Sequence, residues 1–95
     1  MNISSFHSDD KPVQAKKIFD AEGKQVNSIQ ILAQNQLKEH TTPIPALLVC
    51  VIGEVIYEDE KGTKETLLPG DFVNIEPLVK HKLNALKDSN LLLIK

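Results

Sequence analysis

Apolar residues along this chain fall into short runs separated by turn-forming residues, and helical spacing is hard to find. Residues 26–33 (VNSIQILA) place Ile29, Ile31 and Ala33 on one face and Ser28, Gln30 and Leu32 on the other. This is the two-residue period of a half-buried strand, with one exception. Residues 46–52 (ALLVCVI) form a continuous apolar run of strand length, suited to burial on both faces. Residues 54–58 (EVIYE) lead through DEKGTK into ETLLPG, which predicts a hairpin with its tip near Gly62. Pro69-Gly70-Asp71 is a turn signal, with Asp71 placed to cap nearby backbone N–H groups. Strands follow over 72–75, 81–86 and 91–94, joined by a proline-containing connection and by the turn KDSN. Residues 13–19 (VQAKKIF) fit an extended arm or edge strand. Residues 1–12 are polar and predict a flexible N-terminal arm ahead of a single domain over 13–95. Many short strands with turns about every ten residues indicate an all-β sandwich or barrel.

Composition narrows the partners. The chain has 95 residues, 41% hydrophobic and 25% charged, with a net charge of −2, so nothing in it draws nucleic acid or an anionic membrane. All eleven basic residues are lysines, which removes the bidentate guanidinium grip on carboxylate or phosphate. With no tryptophan and one tyrosine, the core is expected to be aliphatic, with Phe6, Phe19 and Phe72 as its largest pieces. Cys50 is the only cysteine and permits no internal disulfide, and the first residues lack the basic and apolar segments of a signal peptide. No apolar run reaches membrane-spanning length. These features point to the cytoplasm.

Two spaced blocks carry a resemblance. His40 is followed thirteen positions on by Gly53-Glu54-Val55, and Leu68-Pro69-Gly70-Asp71 is followed by His81, eleven positions after Gly70. Together they resemble the two motifs of the cupins, over about residues 37–86. The resemblance implies a small single-domain double-stranded β-helix, a jelly-roll barrel. It also implies a metal site made of two histidines two apart, a glutamate four residues later, and the second motif's histidine. Carried over by position, His40 and His81 are present, while Thr42 and Ala46 stand at the other two places. Gln34 and Val79 stand where the motifs carry glycine. Two imidazoles form an incomplete set that gives at most a weakly held divalent metal, so no cofactor is expected.

The expected site is a ligand pocket around His40 and His81, with Cys50, Thr42, Lys38, Leu48 and Leu83 in or near its walls. Ile52 and Phe72 or Val73 are further wall candidates. Lys38 shares the face of His40 if its strand is regular. Cys50 reads as a buried small hydrophobe, His7 as solvated, and Glu58, Asp59 and Glu60 as a solvated hairpin tip. The corresponding function is the binding of a small molecule without a tight metal. The alternatives are a cupin-type metal-dependent oxygenase or isomerase, and a metal-free acid–base enzyme in which one histidine abstracts and the other donates a proton. A pure interaction module is a further class. A homodimer is expected in each case, through N-terminal strand exchange or sheet pairing, because open jelly rolls leave strand edges to cover.

Overall fold

A computed structural model describes residues 1–8 and 10–95. Nine strands account for its regular structure: β1 Val13–Ala21, β2 Lys24–Ile31, β3 Gln36–His40, β4 Ala46–Ile52, β5 Val55–Asp59, β6 Lys64–Leu67, β7 Phe72–Ile75, β8 His81–Ala85 and β9 Ser89–Ile94. They form two antiparallel sheets, ordered β1-β2-β9-β4-β7 and β3-β8-β5-β6. Among the described residues there is no helix, hence none long and apolar enough to cross a membrane.

The strand boundaries follow the sequence pattern closely. The apolar run of β4 alternates between buried Ala46, Leu48 and Cys50 and half-buried Leu47, Val49 and Val51, so only one face of it enters the core. The turn before β7 is closed by Asp71, whose carboxylate accepts from Leu68 N–H at 2.9 Å. Residues 13–19 lie in an edge strand, paired with β2 through the turn Glu22-Gly23. Both turn residues have positive φ (54° and 79°), the twist-matching geometry of a two-residue hairpin.

The core is aliphatic, built from Ile29, Ile31, Leu48, Leu67, Ile75, Leu83, Leu91 and neighbours. Its largest fully buried side chain, however, is Tyr57, not a phenylalanine. Phe19 and Phe72 are 54% and 59% exposed. Both lie on the edge strands of the five-stranded sheet and face away from the core, because register with Val26 and Val49 places them on the outer side. Ile52 is also exposed. A register shift between Cys50 and Ile52 ends the alternation that would have turned it inward.

Gly53 makes the corner between β4 and β5 with φ of +96°. A Cβ there would lie 2.5 Å from Asp88 O and 2.8 Å from Ser89 Cα. The β8–β9 turn thus packs directly onto the backbone of this corner, and Glu54 N–H donates to Ser89 Oγ at 3.1 Å.

Residues 1–8 lie across the outer side of the five-stranded sheet. His7, expected in solvent, is 7% exposed, and its Nε2 is 2.9 Å from Ser28 Oγ. Ser28, Gln30 and Asn90 are buried although they point away from the core, because this segment covers them. Asn90 Nδ2 donates to Ile3 O at 3.1 Å. The polar composition of the segment is therefore matched by a polar strip beneath it.

Candidate functional site

One end of the barrel is formed by the end of β3, the start of β4, the ends of β5 and β7 and the start of β8. His40 closes β3 and His81 opens β8, and the two are direct cross-strand partners. A register shift between Leu37 and His40 creates this pairing: Leu37 faces Leu83 two residues along β8, yet His40 lies three residues beyond Leu37. The extra residue lets His40 point inward like Leu37. Without it the imidazole would turn to the opposite face.

The two rings have centroids 4.1 Å apart, tilted by 59°. Each Nδ1 lies against the carbonyl two residues earlier, His40 on Lys38 O at 3.0 Å and His81 on Val79 O at 3.1 Å. A carbonyl only accepts, so both Nδ1 atoms carry the proton in the neutral rings, and each Nε2 keeps its lone pair. His81 is 2% exposed, and its pKa is lowered, chiefly by burial and further by the neighbouring His40. His40 is the half-buried member of the pair, the one solvent reaches.

Two residues not singled out as site residues in the sequence join the histidines. The Tyr57 ring stacks on His81 at 6.0 Å and 25°, and its hydroxyl donates to Asp59 Oδ2 at 3.0 Å. Asp59 is the cross-strand partner of His81, and its other oxygen accepts from Lys61 N–H and Thr63 N–H at 2.9 and 3.2 Å. Burial opposes ionisation of Asp59, but these hydrogen bonds outweigh it and hold the carboxyl below its ordinary range. Burial also raises the Tyr57 pKa, so the phenol remains a proton donor. Asp59 is therefore an organiser of the β5–β6 turn and not a free tip residue. The signal was its period-two relation to Val55 and Tyr57, which continues one residue further than the polar run suggested.

The remaining expected site residues are spread out. Thr42 is 3% exposed, but its hydroxyl donates to Ile44 O at 2.9 Å and its carbonyl accepts from Leu78 N–H at 2.8 Å, so it stitches two loops together. The Lys38 side chain is exposed. Because β3 is not regular, Lys38 does not share the face of His40, and only its carbonyl reaches the site. Leu48 and Leu83 belong to the buried cluster below the histidines. Cys50 is inward and fully buried, but four residues along β4 from Ala46, roughly 13 Å deeper at strand rise. Burial raises its thiol pKa, away from the reactive thiolate.

The loops around this end are fixed to one another. Glu60 N–H donates to Lys80 O at 2.9 Å, and Lys80 N–H donates to the Glu60 carboxylate at 3.1 Å. Leu78, 70% exposed, holds a positive φ of 64° in the connection ahead of His81.

Comparison of the sequence with models of known protein families and with curated proteins returns no match. The fold does have solved counterparts. It superposes on a cupin superfamily protein from Desulfitobacterium hafniense with a TM-score of 0.85, at 15% identity over 98% of this chain and 84% of that one. An RmlC-like cupin protein from Desulfovibrio desulfuricans gives 0.84, at 17% identity over 98% and 90%. An RmlC-like cupin family protein with a double-stranded β-helix fold from Methanocaldococcus jannaschii gives 0.79, at 21% identity over 95% and 84%. The chain is a small cupin-fold domain.

Within that cupin fold the donor set can be tested against a metal. Thr42 has its hydroxyl committed to a carbonyl, and Ala46 has no donor. Among the described residues no three of His, Cys, Asp and Glu converge as ligands, and Asp59 is spent on Tyr57 and the turn. Two imidazoles alone do not fit a tightly held divalent ion, which takes three or more protein ligands.

Proposed function

We propose that this cupin-fold protein binds a small molecule at the barrel end, held by His40 and His81, without a tight metal. The observation that supports it is the pair of backbone-locked tautomers. With both Nδ1–H groups spent on Lys38 O and Val79 O, the site offers two imidazole lone pairs side by side. Such a pair accepts from hydroxyl, amine or amide donors. It does not attract carboxylate or phosphate unless a ring is protonated, and the chain has no arginine to do so in its place. The ligand class is thus a neutral or cationic donor, such as a polyol or an amine, that meets half-buried His40 first.

The test is a thermal-shift and NMR screen of polyols, amines and small acids on the wild type, His40→Ala and His81→Ala. The expected result is a neutral or amine ligand that shifts the wild type and neither variant. A set of ligands that fails to distinguish wild type from both variants removes the reading.

A second reading, acid–base catalysis without metal, is favoured by the contact chain Asp59–Tyr57–His81–His40, in which His40 would exchange protons with a substrate. Elemental analysis of untagged protein separates both readings from a metalloenzyme. Stoichiometric metal lost in His81→Ala overturns both.

A further inference from the structure

The N-terminal segment is fastened to the five-stranded sheet through side chains, since residues 1–8 belong to no strand. Gln14, Gln30 and Asn90 are successive register partners across β1, β2 and β9, and Lys16 and Ser28 pair in the next outward row. Asn90 Nδ2 donates to Ile3 O at 3.1 Å, Lys16 Nζ to Phe6 O at 3.3 Å, and Gln14 Nε2 to Ser8 O. Of residues 1–8 only His7 is buried, with its Nε2 on Ser28 Oγ. That seat is incomplete. His7 Nδ1 and Gln30 Nε2 are both buried without a hydrogen-bond partner among the described residues.

We infer that the segment is a pH-operated strap: protonation of His7 unseats residues 1–8 and uncovers Ser28, Gln30 and Asn90 while the barrel stays folded. An imidazolium carries a charge and two N–H donors. Ser28 Oγ can accept one of them, but Nδ1 has no partner, and a buried unpaired charge is costly. The surroundings do not compensate. β1 brings the Lys16 ammonium, a like charge, onto the carbonyl of Phe6 just before the ring. β2 and β9 bring only the uncharged Ser28, Gln30 and Asn90. Among the described residues no carboxylate forms an ion pair with His7, and that of Asp10 accepts from Ser8 Oγ instead. Asp9 lies outside the described residues. Burial and then Lys16 lower the pKa of the docked ring, and the Gln14 side chain offsets only part of this. Undocked, the ring is solvated and takes its proton near the ordinary 6.5. Docking is therefore complete above that value and is lost as pH falls through the docked pKa, at most about tenfold in docked-to-free ratio per pH unit. The barrel does not depend on the strap, because no residue of the segment belongs to the buried apolar cluster.

The experiment is NMR of the full ¹⁵N-labelled chain between pH 8 and 5, in the wild type, His7→Gln and Lys16→Met. Backbone ¹⁵N relaxation reports whether residues 3–8 are held, and methyl signals of Ile29 and Leu83 report whether the barrel stays folded. In the wild type, residues 3–8 are expected to become mobile with a midpoint below 6.5, together with the His7 ring titration and with shifts of Ser28 and Asn90. The Ile29 and Leu83 signals are expected to stay in place. His7→Gln keeps His40 and His81 but should lose this transition, and Lys16→Met should move its midpoint up towards 6.5. A wild-type segment that stays rigid to pH 5 overturns the inference. So does a transition that persists in His7→Gln, a midpoint lowered in Lys16→Met, or loss of the strap only together with the Ile29 and Leu83 signals.

Discussion

Substituting alanine for Gly53 adds one methyl group at a point where the fold has no room for it. Two separable costs arise. The φ of +96° is a conformation that a Cβ disfavours by about 1–2 kcal/mol. The methyl also meets Asp88 O at 2.5 Å and Ser89 Cα at 2.8 Å, with Ser89 Oγ closer still. The first two are backbone positions in a turn, so relief requires the β8–β9 corner to move off the β4–β5 corner. Overpacking of this kind costs about 1–3 kcal/mol. The sum, roughly 2–5 kcal/mol, is a large share of the roughly 5–15 kcal/mol stability of a domain. For a chain of this size it lowers the melting temperature by on the order of 10–30 °C. Gly62→Ala is the control, because it has nearly the same φ, +92°, but nothing within 4 Å of the added methyl. It carries only the conformational part. Urea unfolding followed by circular dichroism at 25 °C measures both variants. If Gly53→Ala is no less stable than Gly62→Ala within about 0.5 kcal/mol, the packing half of this reasoning is wrong.

Two further outcomes are expected. Gln34 holds φ of +67° with an exposed side chain, so Gln34→Gly relieves about 1–2 kcal/mol of backbone cost against about 0.5–1 of added chain entropy. A melting temperature raised by a few degrees supports this and a lowered one refutes it. His81, with its pKa lowered by burial, binds fewer protons folded than unfolded, so its contribution is complete above the unfolded value near 6.5 and is lost as pH falls through the folded value. His7, lowered by burial and by Lys16, acts in the same direction. Stability by urea unfolding should therefore fall from pH 8 to 5, by at most about 1.4 kcal/mol per pH unit for each histidine, and His81→Gln should flatten part of that fall. An unchanged acid limb in His81→Gln means that the ring is not held neutral.

The strands and turns were legible because each rests on local chemistry. Alternation over Ile29 and Ile31, the turn at Pro69-Gly70-Asp71, and the spacing of His40 and His81 all state their structural role within a few residues. What depended on the two sides of one sheet was not legible. The pattern marks Ser28 and Gln30 as outward, and it cannot say that a polar segment with His7 will bury them. It marks Phe19 and Phe72 as large and apolar, and the expectation of a phenylalanine core fails because edge strands place both outside. The extra residue in β3 that turns Lys38 away from His40 has no signature in QLKEH itself, since it appears only against the register of β8. Asp59 was hidden for a similar reason: within EDEKG it reads as solvent charge until Tyr57 and His81 are brought beside it.

The placement of β9 governs the order in which this molecule can be made. It is the strand between β2 and β4, hydrogen-bonded to both, and Leu91 and Leu93 are core residues. A chain grown only as far as residue 88 holds β1-β2 and β4-β7 as separate pairs, each with an open edge and part of the core unfilled. The five-stranded sheet therefore closes only when its last segment, Ser89–Ile94, leaves the ribosome. Until then β2 and β4 are unpaired edges of the kind to which other chains adhere.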